Sequence, residues 1–179
     1  TDMLATIRAK MLKLKIWLIE TEEDLNKLLG YLSKDEFKYI CFDTETSNIK
    51  LAQTARILLW SITVKAGESF VIPYMFNKEL LEYFTTTEQT VVAYNLGFDG
   101  NLLRIWGGKF PKNFDDPYLY NRCIYNDTVL TPPLSLKARV KDTFGSWSDA
   151  HVSSNIADLT EDVVNDEDML YYAGVDSIA

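Results

Sequence analysis

The chain has 179 residues, 47% of them hydrophobic and 25% charged, which is the balance of one ordinary globular domain rather than of a disordered, collagen-like or low-complexity chain. No apolar run approaches the ~20 residues that a membrane-spanning helix needs. The 26 acidic residues outnumber the 18 basic ones, for a formal net charge of −8; charge alone argues against nucleic acid as a partner, because such binders usually present a basic surface.

In chain order, Leu4, Ile7, Met11, Leu12 and Leu14 alternate with Arg8, Lys10 and Lys13. That pattern predicts a basic amphipathic leader helix over 1–14, ahead of a main domain over 15–179. It lacks the pattern of a signal peptide. Residues 15–20 are β-prone. Thr21 is placed to cap a helix carrying Leu25, Leu28, Leu29 and Leu32 at helical spacing. Residues 38–44 form a second strand. Residues 57–65 and 69–73 read as a hairpin across Ala66, Gly67 and Glu68. A short helix over 77–84 and a strand over 90–94 follow, then a helix over 98–106 ended by Gly107 and Gly108. Residues 110–116 are a loop or short strand. Pro117 suits the first position of a helix over 117–125. Helices over 134–144 and 166–179 flank a polar, irregular stretch. The last one has no cap or breaker at its end, which suggests a segment of a longer polypeptide. The acidic run 158–168 reads as solvated surface. A hairpin followed by alternating strands and helices makes this an α/β domain with a mixed β-sheet.

Cys41 and Cys123 lie in no C-x-x-C pair and read as buried apolar residues of an intracellular, reducing compartment. The lone histidine, His151, leaves no basis for a His-rich zinc site.

Three places hold acids on a rigid apolar framework. Asp43 and Glu45 close the run Tyr39-Ile40-Cys41-Phe42, and strand alternation sends both to one face. Such a pair repels itself unless a cation neutralises it, and oxygen-only ligands suit Mg²⁺ or Mn²⁺. Asn95 and Asp99 follow the strand 90–94; capping and a first-turn acid explain them equally well. Tyr172 and Asp176 are i and i+4 on the final helix and share a face. Gly174 between them costs that helix about 1 kcal/mol relative to Ala, which a close approach of a strand or substrate backbone would justify. Taken singly, each has a plain structural reading as a solvent-facing strand end, a cap or a surface pair.

Taken together and in this order, D-x-E, N-x-x-F-D and Y-x-x-x-D resemble the three exonuclease motifs of the DEDD superfamily. The Tyr four residues before the last Asp matches its DEDDy branch. The DEDDh branch would need a His where Tyr171 stands. With Leu134-Ser135-Leu136-Lys137 between the second and third motifs, the chain from Lys15 onward resembles the proofreading domains of family A DNA polymerases. That resemblance implies a ribonuclease H-like fold, its first strands antiparallel, flanked by α-helices. It implies two divalent metal ions, Mg²⁺ or Mn²⁺, held by Asp43, Glu45, Asp99 and Asp176, with Tyr172 orienting the attacking water. Thr46 and Ile49 fall where the family places groups near the terminal nucleotide; Asn95 and Phe98 are further substrate-contact candidates, Asn95 reading equally as a helix cap and Phe98 as the core anchor of its helix, and Phe144 and Trp147 are possible stacking residues. The implied activity is 3′–5′ hydrolysis of a single-stranded or frayed DNA 3′ end, with a polymerase domain following in the same chain. Two other readings are open: a ribonuclease D-like exoribonuclease, and a non-catalytic scaffold that keeps the fold.

Overall fold

The segment Ile57–Lys65 has almost no polar face to offer water, and it occupies the middle of the molecule. In the computed structural model, which describes residues 14–47, 53–125, 135–136, 138–140 and 159–177, it is the central strand β3 of a six-stranded sheet. The other strands are β1 (Lys15–Leu18), β2 (Tyr39–Thr46), β4 (Glu68–Pro73), β5 (Thr90–Val92) and β6 (Asn113–Asp115). Their order is β1-β4-β3-β2-β5-β6. Strands β2, β3 and β4 are antiparallel neighbours; β1 joins β4 in parallel, and β5 and β6 extend the other side in parallel. The β3–β4 hairpin turns at Ala66 and Gly67, where Gly67 takes φ 84°, a conformation costly for any residue with a Cβ. The sheet is therefore mixed, as the sequence pattern predicts.

Helices cover both faces. One face carries α1 (Glu22–Leu32), α2 (Asn77–Thr86) and α3 (Leu96–Gly107). Leu25, Leu28, Leu80, Phe84, Leu102 and Leu103 pack there on Ile40, Phe42, Trp60 and Ile62 of the sheet. The Trp60 and Phe84 rings stack at 5.5 Å, and the Trp60 indole N–H donates to Asn77 at 2.7 Å, so the buried ring loses no hydrogen bond. The opposite face is covered by α5 (Glu167–Asp176), whose Met169, Tyr172 and Ala173 meet Leu59 and Val71. Helix α4 (Pro117–Tyr125) follows β6.

Two of the predicted helix-end signals are in place. Thr21 accepts from the Asp24 N–H at 3.1 Å, and Gly108 ends α3 in the left-handed region at φ 78°. Cys41 is half-buried, and burial pushes its thiol up to about 11. Cys123 departs from expectation: it is exposed on α4, because it shares that helix's exposed side with Leu119, Tyr120 and Ile124, where apolar character does not mark burial. The described acids of the 158–168 run are exposed, and Glu161 pairs with Arg56 at 3.3 Å. No described helix is long and apolar enough to cross a membrane. All of the predicted leader over 1–14 but Leu14, together with Ile49, Phe144, Trp147 and His151, lies outside the described residues.

Candidate active site

Strand alternation divides the end of β2 between two environments. Ile40 and Phe42 enter the core beneath the first helical layer. Cys41, Asp43 and Glu45 point the other way, toward α5. Helix α5 places Asp176 over them. One carboxylate oxygen from each of Asp43, Glu45 and Asp176 lies within 4.8 Å of the others. The ladder between β2 and β3 is irregular between Glu45 and Thr46, and such bulges beside a site re-aim the side chains at the strand end.

Three carboxylates this close cannot all ionise freely. Burial holds Asp43 well above the ordinary carboxylate range, and the charges of Asp99, Glu45 and Asp176 push it further up. A divalent cation with oxygen ligands resolves that conflict. The all-oxygen donor set and its mutual repulsion therefore fit Mg²⁺ or Mn²⁺.

Asp99 lies beside this set, not within it. It is 5% exposed, and Thr44 donates to its carboxylate at 2.5 Å. Thr44 projects from the face of β2 opposite Asp43, so Asp99 approaches the strand end from the α3 side. Burial is the main reason its carboxyl is pushed up to about 6, with the Thr44 hydrogen bond working against the rise.

Tyr172 is buried and its hydroxyl lies beside Asp176. Burial drives its pKa upward, and the charges of Asp176, Glu45 and Asp43 act in the same direction. At neutral pH this hydroxyl keeps its proton, so it donates and orients but does not act as a base. A cleft of about 320 Å³ opens beside Asp43 and Asp176, with Tyr94, Asn121 and Arg139 on its walls.

Residues 16–179 match the sequence model of the 3′-5′ exonuclease family. The chain belongs to that family. No curated protein matches its sequence. Among solved structures, it is similar to Trypanosoma brucei RNase D in complex with RNA U12. The TM-score is 0.74 at 18% identity, covering 98% of this chain and 63% of that one. It is also similar to Escherichia coli RNase D, with a TM-score of 0.67 at 16% identity over 92% of this chain and 42% of that one. A third likeness is to Brucella melitensis NrnC with bound Mg²⁺, with a TM-score of 0.60 at 16% identity over 91% and 73% of the two chains. At these identities the structures establish a shared fold.

Within this exonuclease domain the remaining expected residues divide by environment. Thr46 is 2% exposed at the end of β2. Phe98 is half-buried and packs on the core. Asn95 is exposed and stands in the left-handed region at φ 63°, where its side chain makes no capping hydrogen bond. The predicted Asn95 cap is thus replaced by a residue that sequence reasoning missed. The Asp116 carboxylate accepts from the N–H groups of Asn95 and Leu96, each at 3.0 Å, and from that of Tyr118 at 2.9 Å. One buried acid therefore caps the start of α3, which carries Asp99, and the start of α4. The signal for it was local: an Asp immediately before Pro117 at a helix start.

Proposed function

We propose that this domain is a divalent-metal-dependent nuclease that releases 5′-nucleotides one at a time from the 3′ end of a single strand. The observation that carries this reading is the convergence of Asp43, Glu45 and Asp176 within 4.8 Å. Bound divalent ions supply Lewis-acid stabilisation of an in-line displacement at phosphorus. Asp43, Glu45 and Asp176 are the residues that would hold them, with Asp99 supporting the set from the α3 side. Tyr172, protonated and fixed against Asp176, orients the attacking water through its hydroxyl. The cleft walls formed by Tyr94, Asn121 and Arg139 offer polar groups to the strand.

Two substrates follow from two different observations. The motif resemblance supports a DNA end, and with it a proofreading role beside a polymerase domain in the same chain. The likeness to two RNase D structures, one in complex with RNA, supports an RNA end. Fold likeness at 16–18% identity does not choose between them, whereas paired substrates do. Single-stranded DNA and RNA of one sequence, labelled at the 5′ end, should both be tested with Mg²⁺ or Mn²⁺. The expected product is a ladder shortening from the 3′ end, absent with EDTA and absent for Asp43→Ala. Whichever strand is shortened faster identifies the substrate. A folded wild type that shortens neither strand would defeat the catalytic reading and leave the scaffold reading in its place.

A further inference from the structure

Under α5, the sheet face that carries Asp43 buries three hydroxyls on β3 and β4. Two of them are satisfied: Thr63 and Ser69 each share a hydrogen bond with Ser177 at 2.9 Å. The third, on Ser61, is 0% exposed and its Oγ has no hydrogen-bond partner among the described residues. A buried hydroxyl left unbonded costs about 1–3 kcal/mol, so its position calls for a reason.

Register supplies one. Ser61 is the direct cross-strand partner of Asp43 in the β2–β3 ladder. Directly opposed residues share a face, with Cβ atoms ~4.5–5.5 Å apart. A serine hydroxyl across that gap reaches a carboxylate oxygen by rotation about its own χ1. An ionised carboxylate offers several acceptor sites, and one engaged by a cation keeps lone pairs free for a second contact. Ligating carboxylates are commonly fixed by such an outer hydrogen bond.

We infer that Ser61 is a positioning residue for the carboxylate cluster, its hydroxyl donating to Asp43 when the cluster holds a divalent cation. This rests on the metal-binding part of the proposed function. Such a bond would hold the Asp43 carboxylate against rotation in the geometry that the cation needs.

The test uses Ser61→Ala, with Asp43→Ala as the control that removes the ligand itself. Thermal melting in EDTA and calorimetric titration with Mn²⁺ are the readouts. Ser61→Ala should melt as cooperatively as the wild type in EDTA, which shows that it is folded, and bind Mn²⁺ about tenfold more weakly. Ser61→Thr, which keeps the hydroxyl, should retain more of the Mn²⁺ affinity than Ser61→Ala. Wild-type affinity in Ser61→Ala would overturn the inference alone. Failure of the wild type itself to bind Mn²⁺ would overturn the metal reading and this inference together.

Discussion

Asp99 is where burial and charge conflict most measurably. Its carboxyl is pushed up to about 6, mainly by burial, whereas in the unfolded chain it titrates near 3.9. Between those values the folded state holds a proton that the unfolded state has released. Stability from this group is therefore full at the acid end and is lost as pH rises through about 6. The metal-free fold at pH 7 is destabilised by on the order of 2–3 kcal/mol on this account. Asp99→Asn should raise the melting temperature in EDTA at pH 7, and the gain should shrink as pH falls to 5. The same substitution should lower nuclease activity about 10–100-fold. A variant no more stable than wild type at pH 7, or a gain independent of pH, would contradict the burial argument. Metal binding runs the other way: a cation competes with the proton on Asp43 and Asp99, so Mn²⁺ affinity should fall as the solution is acidified.

At the scale of elements, α5 must lie close enough to the sheet to bring Asp176 over Asp43. Gly174 permits that approach. A Cβ placed there would stand 2.8 Å from Ile16 Cδ1 and 2.9 Å from Ile16 Cγ2. Alanine at this position would gain about 1 kcal/mol of helix propensity and lose about 1–3 kcal/mol to overpacking. Gly174→Ala should therefore lower both stability and activity, with α5 displaced from the strand ends. In an Ile16→Ala background the same substitution should cost less, giving a coupling of about 1–2 kcal/mol in a double-mutant cycle. Additive effects would show that α5 does not depend on this contact. The sequence marks Gly174 as an anomaly inside a helix, yet nothing local says that Ile16 is the group it accommodates. The same division runs through the fold. Asp43, Glu45, Tyr172 and Asp176 are legible because periods of 2 and 3.6 decide which side chains share a face. Thr21, Pro117 and Gly108 mark boundaries through local backbone chemistry. The Asn95 cap fails because Asp116, distant in sequence, outcompetes it, and the β1–β4 parallel pairing is equally invisible without tertiary context. Strand β6 is three residues long, too short for any period to separate it from a loop.

For the whole molecule, the net charge of −8 sets how a polyanionic strand can be held. Three acids converge on the site itself, so the local potential without metal repels phosphate. Each divalent ion bound there offsets two of those charges. Among the described residues lining the adjacent cleft, Arg139 is the one basic side chain, so the described lining offers a single Lys or Arg contact to displace counterions. Affinity for a single strand falls with salt with a logarithmic slope of about −0.7 per neutralised phosphate. One or two such contacts predict a slope no steeper than about −1.5, a small fraction of what a basic groove produces. Binding of a labelled oligonucleotide to Tyr172→Phe with Mn²⁺ should show this shallow dependence, since the variant slows cleavage while keeping the carboxylates. Replacing Mn²⁺ with EDTA should abolish binding. A slope near −4 or steeper, or metal-independent binding, would reveal a basic surface that holds the strand away from the carboxylates. The shallow slope also has a mechanistic consequence. With little affinity invested in the phosphate backbone, residence at the site depends on the metal-held 3′ end, and release after each cleavage is rapid. The domain should therefore act distributively, dissociating between cuts, unless another domain or partner retains the strand.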